Sequence, residues 1–111
     1  MITEGYALII GCYGGKDEVG ERGEEDRPIL YTYRRECEKE LADVIICEYE
    51  KFRSDPMYPN DIPVEEVEIA HYIGYATLEG DTYTYWLNKD HVGGLFTPLF
   101  KYNYKTDTYV W

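Results

Sequence analysis

Three kinds of residue in this sequence carry side chains able to do chemistry: three cysteines, two histidines and a large excess of carboxylates. Cys12, Cys37 or Cys47 would become a nucleophile if a fold brought it against His71 or His91. His71 falls on the apolar face of an expected strand, where a hydrogen-bonded structural histidine is the commoner outcome. His91 sits in the polar turn Asn88-Lys89-Asp90-His91 and reads as a loop residue. Neither placement argues for a cysteine hydrolase. Gly11-Cys12-Tyr13-Gly14-Gly15-Lys16 has the outline of a phosphate loop, but Asp17 and Glu18 follow the lysine. A phosphate loop needs GxxxxGK[ST] opening a helix, and an acidic field in that place repels a nucleotide.

The carboxylates are too irregular for a metal site of known register. Zinc would require short-spaced Cys/His pairs, which are missing. The six acids between Asp17 and Asp26 lack the alternating DxDxDG order of a calcium loop. Paired acids could also hydrolyse glycosidic bonds, but a domain of this size has little room for the cleft. The expectation is a non-enzyme that uses no cofactor and no metal.

Charge distribution is the most informative signal. Residues 1–26 carry seven acids and two bases, and residues 54–81 carry seven acids and no base. Residues 27–53 balance at six of each, and residues 82–111 have two acids and three bases. Acid is thus concentrated in two blocks while residues 27–53 are balanced, and a charge that only keeps the protein soluble is the alternative to an acidic binding face. The candidate partner-binding residues are Asp17, Glu18, Glu21, Glu24, Glu25 and Asp26 in the first block. In the second they are Asp55, Asp61, Glu65, Glu66 and Glu68. Glu66 and Glu68, two apart on an expected strand, would stand roughly 6.6–6.8 Å apart. That matches about two phosphate steps along a DNA strand.

The elements that must position these groups follow from periodicity. Tyr6 to Tyr13 is a short apolar run suited to a buried strand. Lys16 to Asp26 is Gly-spaced, acidic and aperiodic, and reads as a mobile solvated loop able to reach out as a flexible arm. Pro28 to Tyr33 is either a short strand or the lead-in to a helix. From about Arg34 to Arg53, Cys37, Leu41, Val44, Ile45 and Phe52 recur at helical spacing and predict a helix about 30 Å long. Ser54-Asp55-Pro56 stops it. The period becomes two from Val64 to Leu78, and Thr82 to Leu87 resumes after Glu79-Gly80-Asp81, which predicts a hairpin. Phe100–Tyr104 and Thr108–Trp111 around Lys105-Thr106-Asp107 predict a second. The expected fold is α+β: an antiparallel sheet of about four to six strands, with one long helix (about 34–53) packed on one face.

The 111 residues suffice for a single domain, 1–111. With 44% hydrophobic residues the chain is not a disordered acidic tail. It has no uncharged apolar stretch of bilayer length, and Met1-Ile2-Thr3-Glu4 lacks the basic start of a secretory signal. The odd cysteine count, without CxxC spacing, points to reduced thiols in a cytoplasm, the host's if the chain is virus-encoded. All three are expected to be small buried apolar residues. A formal charge of −11 argues against direct binding to nucleic acid or an anionic membrane.

Two functions fit these features. The first is a non-catalytic inhibitor of a basic nucleic-acid-binding protein or complex, of the phage or mobile-element anti-defence kind (anti-CRISPR or anti-restriction). Its clustered carboxylates would imitate phosphates and occupy the partner's basic groove. The second is a small structural or self-assembling protein of virion or scaffold type, a homo-oligomer. Its contact surface would be a tyrosine-rich sheet face carrying Tyr83, Tyr85, Tyr102, Tyr104 and Tyr109. Cross-strand aromatic packing in a core is the commoner use of such a face.

Overall fold

A computed structural model describes residues 3–11, 16–54 and 71–111. Among these, six strands form one antiparallel sheet in the order β2-β1-β3-β4-β5-β6. The strands are β1 (Glu4–Ile10), β2 (Glu18–Val19), β3 (His71–Glu79), β4 (Thr82–Trp86), β5 (Phe100–Asn103) and β6 (Thr108–Val110). One helix, α1 (Arg34–Ser54), packs over β1 and β3. This is the expected α+β architecture, with the helix within a residue of its expected span.

Pairing sets the strand ends more than apolar content does. β1 begins at Glu4 because Glu4 and Gly5 lie opposite Thr77 and Ala76. Gly80, at φ 62°, takes the left-handed turn that a two-residue link between Glu79 and Thr82 requires. The last hairpin is closed by Asn103, whose Oδ1 accepts from the Lys105 and Thr106 amides at 3.0 and 3.1 Å. The expected strand residues 64–70 lie outside the described residues, as does Cys12.

The register gives the sheet two distinct faces. Ala7, Ile9, Val19, Ala76, Tyr83, Tyr85, Phe100 and Tyr102 share one face and form the core. Leu8 and Tyr75 lie on the opposite face, where α1 contributes the fully buried Cys37. The sheet curls about its aromatic face. Tyr85 stacks on Phe100 at 4.5 Å, and Tyr109 meets Phe100 and Tyr102 at 5.7 and 4.7 Å. Tyr83, Tyr85 and Tyr102 are therefore interior, and an assembly surface built on them would have to open the core.

The curl brings the two edge strands β2 and β6 together through side chains. The Val19 amide donates to the Tyr109 hydroxyl at 3.1 Å, and Trp111 Nε1 donates to the Asp17 carbonyl at 2.8 Å. Such a seam blunts edges that would otherwise offer unpaired backbone groups to other chains.

The cysteines depart from expectation. Cys37 is buried, but Cys47, ten residues further along the same helix, is exposed. Ten residues rotate the position by about 280° on a helix, which carries Cys47 off the face that meets the sheet. Burial pushes the Cys37 thiol up to about 12, so it stays protonated and inert at neutral pH. Among the described residues no helix is long and apolar enough to cross a membrane.

Candidate functional site

The acidic segment after β1 is a built element and not a free arm. β2 pairs Val19 with Ile9 and Glu18 with Ile10, and the Gly20 amide donates to the Leu8 carbonyl at 2.9 Å. The chain then leaves the sheet as a small hairpin. Arg22 bridges Pro28, the Gly23 amide donates to the Arg27 carbonyl at 2.8 Å, and the Ile29 amide donates to the Glu21 carbonyl at 3.2 Å. It rejoins β1 at Tyr31, which exchanges two 2.8 Å backbone hydrogen bonds with Tyr6. Pro28 to Tyr33 is thus a returning segment with one bridge to β1, which then leads into α1. Sequence reading missed this because each of its partners is remote or single, so no period arises.

The tip of the hairpin is a single 3-10 turn, Glu24–Asp26, with all three residues exposed. Glu25 and Asp26 both have left-handed φ, 57° and 59°. Two successive non-glycine residues in that region cost about 1 kcal/mol each, and the hydrogen bonds at the hairpin's base hold them there. Among the described residues the three carboxylates make no ion pair.

The neighbouring bases rest on tyrosine rings, and Arg22 also donates to the Asp26 carbonyl of the tip at 3.4 Å. The Arg22 guanidinium stacks over the Tyr102 ring at 4.6 Å. It donates to the Tyr102 hydroxyl and, at 3.2 Å, to the Tyr109 hydroxyl. Its pairing with Asp107 is longer, 4.0 Å. The Arg27 guanidinium lies over the Tyr104 ring at 4.4 Å. Both cations are spent on tyrosine faces, an arrangement that holds planar guanidinium groups well.

The remaining candidate acids divide by position. Asp17 is half-buried in the seam, where its carboxylate accepts the Tyr72 hydroxyl. Burial and that hydrogen bond push the Tyr72 phenol well above its usual range. Glu18 is exposed on β2. Glu21, at the hairpin's base, is half-buried and held above the ordinary carboxylate range by burial and by Glu40 of α1. Asp55, Asp61, Glu65, Glu66 and Glu68 lie outside the described residues. The structure therefore brings together Glu21 and Glu24–Asp26, while Asp17 and Glu18 belong to the seam. Glu40 and Asp107, distant in sequence, join these two places without any local signal.

No family model, curated protein or solved structure matches this chain. Its chemistry has to be read from its own surface.

Glu21 gives a pH-dependent prediction. A carboxyl with a raised folded pKa binds its proton more tightly in the folded state than in the unfolded one. Its stabilising contribution is therefore complete below the ordinary value of 4.5 and is lost as pH rises through the raised value. Glu21→Gln should raise stability, and with it Tm, at pH 7, by no more than about 1 kcal/mol of stability for so solvated a group, and leave both unchanged at pH 3. Thermal melts across that range check it; an equal shift at both ends would show that charge is not the cause.

His71 begins β3 opposite Ile10 and is half-buried with a partner of its own. His91 stacks on Phe96 at 3.8 Å.

Proposed function

We propose that this chain is a non-catalytic acidic binding protein that inhibits a nucleic-acid-handling protein by occupying its basic groove. A phage or mobile-element protein acting against CRISPR or restriction machinery is the type of inhibitor that fits. The observation that carries the reading is the hairpin tip. Glu24, Glu25 and Asp26 project three successive carboxylates that make no ion pair among the described residues, while Arg22 and Arg27 beside them stack on Tyr102 and Tyr104. The formal charge of −11 adds a long-range field that speeds association with a cationic surface. A tip held on a hairpin has little ordering entropy left to lose on binding, unlike a flexible arm.

The test is affinity capture from host lysate with elution along a salt gradient, using the native chain and Glu24→Gln/Glu25→Gln/Asp26→Asn. The native chain should retain one nucleic-acid-binding complex that salt or competing DNA releases. The triple variant should bind that complex at least about tenfold more weakly, or about 1.4 kcal/mol, with a shallower salt dependence. Equal binding by the variant removes the tip from the function.

A further inference from the structure

An open depression of about 330 Å³ lies beside the same tip, lined by Gly23, Glu24, Arg27, Pro28, Ile29, Leu30 and Tyr83. Its walls are largely apolar: Pro28 and Tyr83 are buried, and Ile29 and Leu30 are half-buried. The depression is an observation independent of the acids, and its volume sits at the small end of the range for ligand pockets, roughly 300–1,000 Å³. That size suits one side chain rather than a free cofactor. The rim states the sign of the occupant. Glu24 lines the depression, Glu25 and Asp26 follow it in the chain on the same exposed turn, and the one cation in the wall, Arg27, is engaged with the Tyr104 ring.

We propose that this depression receives an arginine side chain of the basic partner, with its stem and guanidinium plane against Pro28, Ile29, Leu30 and Tyr83 and its charge on the Glu24–Asp26 carboxylates. The inference rests on the groove-occupying reading above and names what that partner presents. Arginine fits better than lysine for two reasons. A guanidinium is planar and weakly hydrated, so it tolerates an apolar wall, and it pairs two-pronged with carboxylates. A lysine ammonium is strongly hydrated and would have to shed water to enter. The molecule itself uses this chemistry around the hairpin, where Arg22 and Arg27 rest on tyrosine rings at 4.6 and 4.4 Å.

The full chain, labelled with 15N, would be titrated with the peptides Ac-Gly-Gly-X-Gly-Gly-NH2, where X is arginine, lysine or citrulline. The arginine peptide should shift the amides of Gly23–Leu30 and Tyr83 and saturate, with lysine at least threefold weaker and citrulline inactive. Glu24→Gln/Glu25→Gln/Asp26→Asn should weaken the arginine peptide at least fivefold. Ile29→Trp, which fills the depression and leaves the charge unaltered, should abolish the arginine preference while shifts elsewhere in the spectrum stay native. Equal arginine and lysine affinities, or shifts spread over all the acidic surface, would overturn the pocket. Loss of lysate capture by the triple variant without an arginine preference overturns the pocket alone. An arginine preference with capture unchanged supports the pocket and overturns the groove-occupying role.

Discussion

Phe100→Ala should cost about 3–5 kcal/mol in urea denaturation, the range for truncating a fully buried aromatic side chain. Phe100 is 2% exposed, stacks on Tyr85 and touches Tyr109, and its strand β5 carries Tyr102. Removing the ring leaves a hole beneath the stack, and the neighbours placed to fill it are themselves held in hydrogen bonds. Tyr102 donates to Asp107 at 2.7 Å and accepts from Arg22, while Tyr109 accepts from Val19. Collapse into the hole is thus restricted, which favours the upper part of the range. Small domains are stable by only about 5–15 kcal/mol, so the variant should sit close to its unfolding transition. Val110, 66% exposed on the far side of β6, is the control: Val110→Ala should cost within about 0.5 kcal/mol. A Phe100→Ala cost under 1 kcal/mol would mean that the aromatic face is not the core.

Arg22→Ala should cost about 2–3 kcal/mol, more than an exposed arginine normally does. The side chain combines a stack on Tyr102 with hydrogen bonds to two tyrosine hydroxyls, and bonds involving a charged donor are worth about 1.5–3 kcal/mol. Its pairing with Asp107 contributes little by comparison. At 4.0 Å, with the Asp107 side chain 79% exposed, that pair belongs to the surface class of about 0–1 kcal/mol. Asp107→Asn should therefore cost less than about 1 kcal/mol, and asparagine also tolerates the left-handed φ of 52° found there. The loss in Arg22→Ala should be uneven across the molecule. Hydrogen exchange should speed up at the Gly23 and Ile29 amides, which close the acidic hairpin, and at Val19 in the seam, while β3 amides keep their protection. Uniform loss of protection would show that Arg22 supports the whole sheet rather than this hairpin.

These two residues also show why the sequence was readable in some places and silent in others. Helix 34–53 was legible because Cys37, Leu41, Val44 and Ile45 repeat at a spacing that only one local structure places on one side. The two C-terminal hairpins were legible because Gly80 and Asn103–Asp107 meet turn requirements set by neighbours a few residues away. Alternation likewise placed Tyr83 and Tyr85, and Tyr102 and Tyr104, on shared faces. It carries no information about which face turns inward, and that is decided when β2 and β6 meet around the ring stack.

The hairpin that holds Glu24–Asp26 was misread for the same reason. Arg22 binds Tyr102 and Tyr109, 80 and 87 positions away, and the Val19 amide reaches Tyr109 across 90. By itself the sequence determined the class of fold, the helix, the turns and the acid-rich composition of the segment, since all of these depend on near neighbours or on counting. Only the tertiary structure decided that the acids would be presented on a braced tip with their neighbouring cations stacked on tyrosine rings. That outcome depends on closing the sheet, and closure joins groups that no local pattern connects.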